Sequence, residues 1–584
     1  MKRIFDLLDF SVKNYDKEVA LAGKRSGEWI KYSSVKYKEI SENIALGLIG
    51  MGVAKGDKIL TMSTNCPEWN FVDMGMLMAG AIHVPVFPTI PDAQLKVIIS
   101  QVNPKVIFAS NKFFYNKILK VLGSAQSNIN IFTFDSVKNA VHYSEIEESG
   151  RKSDNKQLLD EVKSGISEED VASIIYTSGT TSKPKGVVLT HKNHVSNFLA
   201  AAPTLKMNSN FVGLSYLPLC HVYERMINYM YQSLGISIYY AESLATISDN
   251  MKDVKPDVIA AVPLFLEKIY SSILKKGNSA KGFRKKIFFW ALNLAETYDP
   301  GNKSFGKRIK YKIADFFVYR KIRKVLGGNV KRVICGAAAL QPKILRTLWA
   351  AGIPVHEGYG LTETSPLITV NHFGRVKFGT IGETINGVEV KINSDGEILC
   401  KGPNVFTGYY QNSELTKEAI DNEGWFHTLD VGFMDENGFL TITGRKKDIF
   451  KTSSGLYVAP EAVESTLKLS PFIENVLIAG ANRNFLSALI IPDEEFITSW
   501  CFLNGIEEKD FKKMIKLQKV MNEFVLEIEK YNFESPETER ILRFLVLEDK
   551  WSVDSGEITP SMKLKRSHLL EKYSPILENF YSEN

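Results

Sequence analysis

Residues 174–191 read IIYTSGTTSKPKGVVLTH, a run whose side chains suit gripping a polyphosphate. Thr177, Ser178, Thr180, Thr181 and Ser182 supply hydroxyl donors, Gly179 and Gly186 lie among them, and Lys183 and Lys185 add positive charge. Hydroxyls donate to phosphate oxygens, and glycines let backbone N–H groups approach a ligand closely. Apolar runs on both sides read as buried strands. A Walker loop needs Gly-Lys-Ser/Thr leading into a helix. Here Pro184 and a second strand follow instead, which disfavours a P-loop NTPase. Taken alone, such a loop is equally a surface hairpin rich in small polar residues.

Other segments follow it in order. VHEGYGLTETSP (355–366) combines small residues, an aromatic ring, hydroxyls and a carboxylate. CGAAAL (335–340) ends an apolar run, and YLPLCHVYERM (216–226) places His221 after another. GWFHTLDVGFMDENGFLTITGRKKDIFKTSSGLYVAPEAVE (424–464) and GEITPSMKLKRSHLLEKY (556–573) are rich in lysine. Read singly, Glu363 is a solvated loop carboxylate, His221 a packed histidine, Lys447 and Lys451 are surface charges, and Lys563 is part of a basic start to a C-terminal helix, with Lys565 a competing candidate.

Together these segments resemble the adenylate-forming superfamily, which includes acyl-CoA synthetases, luciferases and peptide-synthetase adenylation domains. HVPVFPTIP, VPLFLEKIY, FFWALN and a basic helical insert look most like its bacterial long-chain fatty acyl-CoA synthetases. The resemblance implies that the 177–185 loop, with Thr177, Ser178, Gly179, Thr180, Thr181 and Lys185, clamps the outer phosphates of ATP. It sets Tyr359, between Gly358 and Gly360, against adenine, with Ala338 on the facing turn. Thr362 would contact the α-phosphate, and Glu363, helped by Thr177, would hold Mg²⁺. Asp430 and Arg445 would meet the ribose, Lys447 would be the hinge, and Lys563 and Lys451 would serve the first and second half-reactions. His221 is a candidate for the acyl site. Three positions depart from the family pattern: Ala339 where proline is common, Leu429 within the usual Thr-Gly-Asp, and Met562 where many relatives have glycine.

The implied reaction joins a long-chain fatty acid to coenzyme A, with ATP consumed to AMP and pyrophosphate. Two alternatives stand beside it. One is an acyl-ACP synthetase or fatty acyl-AMP ligase delivering to an acyl carrier protein; the other is a catalytically silent fatty-acid-binding protein of the same fold.

The elements that must position these residues are legible as patterns. KYKEISENIALGLIGMGV and WNFVDMGMLMAGA have helical spacing, while DKILTMS, HVPVF, KVIFAS, ASIIYTS, VGLSYLPL and DVIAAVP read as strands. The alternation predicts an α/β protein with mainly parallel, doubly covered sheets. Residues 264–332 read as a basic helical insert, and about 377–443 as a small antiparallel barrel or sheet built from GVEVKI, GEILCKG and GFLTITG. The expected division is a large domain over 1–443 and a small, mobile α/β domain over 444–584, hinged near 444–448, with a helix over 506–530.

At 584 residues with 44% apolar and 24% charged residues, the composition is that of a folded protein of several subdomains. A net charge of +6 makes no case for nucleic acid. The five cysteines are dispersed without a CxxC pair, so neither a zinc site nor a disulfide framework is indicated. Asp6 and Asp9 interrupt the apolar run a signal peptide requires. The expectation is a cytoplasmic protein, with peripheral contact to lipid on the inner membrane face through the basic insert as the bolder alternative.

Overall fold

The computed structural model describes residues 1–123, 129–177, 184–243, 245–301, 305–453, 457–553, 555–559 and 563–582, without the side chains of Glu534 and Thr538. The chain forms two compact units. The first comprises Met1–Lys391, Leu399–Thr428 and Met434–Thr441; the second comprises Ile392–Ile398, Leu429–Phe433 and Ile442–Asn584.

Among the described residues the first unit is built on two large sheets. One has nine strands in the order Glu383–Thr384, Leu367–Val370, Val355–Gly360, Arg332–Cys335, Val258–Ala261, Val212–Ser215, Ser237–Tyr240, Leu21–Arg25 and Glu28–Tyr32. Its centre is parallel and its two ends antiparallel. The other has eight strands in the order Gly408–Tyr409, Lys185–Thr190, Val171–Thr177, Ile82–Val86, Lys58–Met62, Val106–Ala109, Asn130–Thr133 and Val141–His142. Lys185–Thr190 runs antiparallel to both its neighbours, and the strands from Val171–Thr177 onward are parallel. Their short apolar runs are buried on both faces, as parallel strands between helices must be.

Helix Pro67–Met78 starts with proline at its first turn, where no N–H is needed, and is buried along its whole length. It carries Asp73 into the core. There Asp73 meets Arg225 Nη2 at 2.6 Å, His83 Nδ1 at 2.6 Å and the Tyr229 hydroxyl at 2.6 Å. Burial opposes the carboxylate charge, but Arg225 and the His83 and Tyr229 hydrogen bonds hold its pKa down to about 2. Burial and the Arg225 charge hold His83 down to about 4, so it is neutral and also bonds Thr61 Oγ1 at 2.7 Å. This network ties helix Val222–Ser233 to helix Pro67–Met78 and to strands Lys58–Met62 and Ile82–Val86.

The predicted strand VGLSYLPL is strand only over Val212–Ser215. Pro218 has no N–H for a ladder, and Asn65 captures the backbone instead. Its amide donates to the Leu217 carbonyl at 2.6 Å, and its oxygen accepts from Leu219 N at 3.1 Å.

The expected barrel is an open half-barrel sheet of four strands, Glu389–Ile392, Glu397–Lys401, Phe426–Met434 and Leu440–Arg445. The basic insert is helical over Pro263–Asn278, Gly282–Glu296, Phe305–Ala314 and Arg320–Val325, with a π-helical turn at Asp315–Tyr319.

The second unit centres on strands Ile473–Ala479, Leu486–Pro492 and Ile541–Val546, packed against helices Pro460–Leu467 and Gln518–Glu534. The helix expected over 506–530 divides into Phe511–Met514 and Gln518–Glu534. Asp510 caps the short piece at Lys512 N, and Leu517 is extended, with φ −63° and ψ 135°, so the rod breaks between them. No helix among the described residues is long and apolar enough to cross a membrane.

Candidate active site

Strands Val171–Thr177 and Lys185–Thr190 pair antiparallel, and Thr177 and Lys185 are the cross-strand partners at their open end. The phosphate-loop candidates Ser178, Gly179, Thr180 and Thr181 lie outside the described residues. The Lys185 ammonium stands 5.7 Å from the centre of the Tyr409 ring, and the Tyr409 hydroxyl donates to Glu363 Oε1 at 2.9 Å. Burial and the adjacent Glu363 charge raise the Tyr409 pKa, so it stays a donor. One tyrosine thus bridges the mouth of the loop and the carboxylate of the second motif. Gly186 also has a packing use. A Cβ there would lie 2.9 Å from Ile174 Cγ2 and 3.1 Å from Tyr410 Cβ, so its smallness serves strand packing.

The second motif runs from strand Val355–Gly360 into a 3₁₀ turn at Thr362–Thr364. A β-bulge falls between Tyr359 and Gly360, and a Cβ on Gly360 would lie 1.7 Å from the Pro366 carbonyl oxygen. Only glycine fits that crossing, whatever binds nearby. Gly358 is similarly hemmed by Leu367 and Thr369. Tyr359 is buried, while Thr362 and Glu363 are half-exposed. Helix His191–Ala201 braces this turn: Asn197 Nδ2 donates to the Leu367 carbonyl at 2.8 Å, and Leu367 N donates back at 3.1 Å. Asn404 Nδ2 reaches the Thr364 carbonyl at 3.1 Å, and Phe406 N the Glu363 carbonyl at 2.8 Å.

The facing turn follows strand Arg332–Cys335. Ala337 is left-handed at φ +77°, and Ala338 and Ala339 are exposed. Glu357 holds this turn by accepting from Leu340 N at 3.2 Å, and burial lifts its pKa to about 7. The Tyr223 hydroxyl donates to the Ile334 carbonyl at 2.9 Å, tying the helix after His221 to the same strand. His221 caps that helix: its Nδ1 accepts from Tyr223 N at 3.2 Å, and its ring meets Phe87 edge-on at 6.0 Å. Burial pushes the next carboxyl, Glu224, up to about 8, with Ser215 Oγ donating to it at 2.6 Å.

The second unit gathers its own set. Arg445 Nε lies 3.2 Å from Asp430 Oδ1, with the Asp430 side chain buried. Leu429 sits at φ +59° with its side chain about half exposed, a conformation that glycine adopts freely. It is pinned there by Leu429 N donating to Glu397 Oε1 at 3.1 Å and Lys446 N donating to the Leu429 carbonyl at 2.9 Å. Lys447 is exposed in the turn that follows Arg445. Lys451 lies opposite Tyr457 in a two-stranded ribbon, its ammonium 5.8 Å from that ring.

Lys563 closes a narrow hairpin: Thr559 N donates to its carbonyl at 2.8 Å, and Lys563 N donates to Thr559 Oγ1 at 3.0 Å. Much of the residue faces solvent, yet desolvation of the ammonium and the charge of Arg445 lower its pKa, against the pull of Glu461 and Asp430. The proposed first-step lysine and the proposed ribose pair are therefore electrostatic neighbours within this unit. The hairpin is anchored by Glu557, whose carbonyl accepts from Lys565 N at 2.8 Å. Its carboxylate takes Lys572 Nζ at 2.6 Å and Ser552 N at 3.1 Å, and also the Ser555 hydroxyl. Burial opposes that charge, but these donors pull its pKa to about 2.

Tyr409, Glu357, Asn197 and Glu557 were not singled out by the sequence analysis. The signal available for Asn197 was a polar residue beside the apolar run FLAAA; Glu357 in VHEGYG, Tyr409 in GYY and Glu557 in GEI carried none. Among the described residues no group of three or more His, Cys, Asp or Glu side chains could hold a metal ion.

The chain matches the pattern of the AMP-binding enzymes over residues 8–410 and that of the AMP-binding enzyme C-terminal domain over 447–584. It is 32% identical over 569 residues to the long-chain-fatty-acid–CoA ligase FadD15 of Mycobacterium bovis, covering 95% of this chain and 93% of that one. It is 30% identical over 589 residues to the peroxisomal long chain acyl-CoA synthetase 6 of Arabidopsis thaliana, covering 95% and 82%. Among solved structures, the anthranilate CoA ligase AuaEII in complex with anthranoyl-AMP superposes with a TM-score of 0.71 at 16% identity, over 98% of this chain and 97% of that one. ATP-bound MatB from Rhodopseudomonas palustris gives 0.68 at 20% identity, over 98% and 99%. These likenesses establish a shared fold.

Proposed function

The chain belongs to the AMP-binding enzymes, and from that premise we propose that it is a long-chain fatty acid–CoA ligase working through an acyl-adenylate. The structural observation that carries the reading is Tyr409, in contact with Lys185 at the mouth of the phosphate loop and with Glu363 at once. It joins a cation suited to outgoing phosphates to a carboxylate suited to Mg²⁺.

A carboxylate is a poor acyl donor because its oxygen leaves badly. Attack of that oxygen on the α-phosphorus of ATP expels pyrophosphate and makes the oxygen part of AMP, a good leaving group. The thiol of coenzyme A then attacks the acyl carbon, giving the thioester and AMP. In the first step we assign the outgoing phosphates to Thr177, Lys185 and the loop between them. Thr362 takes the α-phosphate, and the Lys563 ammonium the charge developing where carboxylate and phosphorus meet. Asp430, held by Arg445, accepts from the ribose hydroxyls, and Tyr359, Gly358, Gly360 and Ala338 form the base slot. We assign the acyl end to His221, which caps its helix, and to Glu224 beyond it, whose carboxyl burial keeps protonated.

Glu363 with the Thr177 hydroxyl is a hard-oxygen pair that fits Mg²⁺, which binds through one or two carboxylates plus substrate phosphates rather than in an all-protein cage. Bound there, the ion would neutralise phosphate charge. For the second step we assign a rotation about Lys447 that withdraws Lys563 and presents Lys451. We also propose peripheral contact with membrane lipid, where long-chain acids reside.

The test is a panel of acids in ATP–pyrophosphate exchange, followed by coenzyme A or acyl carrier protein as acceptor. Exchange should rise with chain length, and the acyl group should pass to coenzyme A. Preference for the carrier protein would assign the chain to the acyl-ACP synthetases, and absence of exchange with every acid would reduce it to a silent binding protein.

A further inference from the structure

The backbone fixes Tyr409 before its side chain makes any contact. Gly408 and Tyr409 pair with Val188 and Val187, so Tyr409 sits on an edge strand beside the strand that opens with Lys185. Tyr409 N donates to Thr416 Oγ1 at 2.9 Å, and Tyr410 N to the Gly186 carbonyl at 2.7 Å. Gly408 makes room for this approach: its φ is +148°, and a Cβ there would lie 2.7 Å from Thr416 Cγ2.

The same segment is stitched to the Glu363 turn. Phe406 N donates to the Glu363 carbonyl at 2.8 Å, Asn404 Nδ2 to the Thr364 carbonyl at 3.1 Å, and the Ser365 hydroxyl to the Asn404 carbonyl at 2.8 Å. The buried Phe406 ring meets the Tyr409 ring edge-on at 4.9 Å. A half-buried phenol held this way has little freedom to turn. Its hydroxyl donates to Glu363 Oε1 at 2.9 Å, and its ring centre stays 5.7 Å from the Lys185 ammonium.

The hydrogen bond has a consequence for the kind of ion that Glu363 can serve. An oxygen already engaged by a donor disfavours any grip that needs both oxygens of the carboxylate. Ca²⁺ takes about six to eight oxygens and accepts carboxylates in bidentate fashion, whereas Mg²⁺ demands an octahedron completed by phosphates and waters. Groups that bond to a metal ligand, rather than to the metal, orient that ligand and tune its ion.

We propose that Tyr409 is a positioning residue that sets ion specificity: by engaging one oxygen of Glu363, its hydroxyl makes the nucleotide site prefer the magnesium complex of ATP to the calcium complex. Its ring aligns the Lys185 ammonium for the phosphates of either complex. The inference rests on the proposed nucleotide site, with Glu363 as the metal carboxylate. Tyr409 acts only through its two neighbours.

The experiment is calorimetric titration of the full chain with α,β-methylene-ATP, which cannot release pyrophosphate, presented as its magnesium or its calcium complex. The wild type should favour the magnesium complex. Tyr409→Phe keeps the ring and removes the hydroxyl. It should weaken the magnesium complex by about tenfold, as loss of a partner behind a metal ligand does, and the calcium complex far less, so the ratio of the two constants falls. Tyr409→Leu removes the ring as well, and should weaken both complexes further by a common factor while the ratio stays at its Y409F value. A merely structural role would lower both affinities and leave the ratio alone. An unaltered ratio in Y409F, or equal affinities in the wild type, would overturn the proposal. Acid-dependent ATP–pyrophosphate exchange is measured in parallel. A wild type that exchanges while Y409F keeps its ratio defeats this inference alone; a wild type that binds neither complex defeats the proposed nucleotide site with it.

Discussion

The two units hold their reactive groups by different means. In the first, Lys185, Thr177 and Glu363 grow from paired strands and a braced turn, and the helix after His221 is locked by a fully buried Asp73–Arg225–His83–Tyr229 network. In the second, Lys563 sits at the end of a hairpin held from one side by a single buried carboxylate, Glu557. The contrast suits the division of labour. On the proposed roles, the groups that meet the outer phosphates and the metal are built into paired strands and a braced turn, and the lysine assigned to the first step is carried on a separately anchored hairpin.

The largest expected effect breaks the first kind of anchoring. Asp73→Asn strands the Arg225 charge in the core and should cost about 3–5 kcal/mol, read from the denaturant midpoint. A loss under about 1 kcal/mol would mean that water, not the network, satisfies Arg225.

Next comes Lys563→Ala. It should lower adenylate formation by about a hundred- to a thousandfold, comparable to removing one charge-stabilising donor, while thioester formation from supplied acyl-AMP persists. Equal loss of both half-reactions would contradict the contrast between the units.

Glu557 sharpens the second kind. Its pKa falls from the ordinary 4.5 to about 2 on folding, so its stabilisation is fully present above pH 4.5 and is lost as pH drops toward 2. Glu557→Gln should remove about 1–3 kcal/mol at neutral pH and flatten stability across that acid window, seen in melting curves at stepped pH. A wild-type profile retained in the variant would remove Glu557 from the anchor. The smallest effect is at Leu429. Glycine there relieves a left-handed strain of about 1–2 kcal/mol but adds unfolded-state entropy. The net gain should be up to about 1 kcal/mol, and a lower melting temperature would contradict the strain.

Much of the fold was legible because its strands are short apolar runs and its helices keep strict spacing, as in KVIFAS and KYKEISENIALGLIGMGV. The strand expected over YLPL failed because a distant side chain, Asn65, takes its backbone. The long helix over 506–530 failed because a local cap at Asp510 and an extended Leu517 interrupt it. Apolar periodicity carries neither kind of information. At the site, the groups that would touch ligand were legible through motif resemblance, whereas those that hold them were not. Tyr409 lies 46 residues from Glu363 in sequence, and nothing in GYY announces the meeting. Leu429 was visible as a departure from Thr-Gly-Asp, but only its φ of +59° explains why glycine is usual there.

The central claim is that an acid oxygen attacks the α-phosphorus of ATP. Oleate labelled with ¹⁸O in both carboxylate positions, turned over with ATP, Mg²⁺ and coenzyme A, should yield AMP carrying one heavy oxygen and pyrophosphate carrying none. Heavy oxygen appearing in orthophosphate or pyrophosphate, or AMP formed without it, would contradict the account.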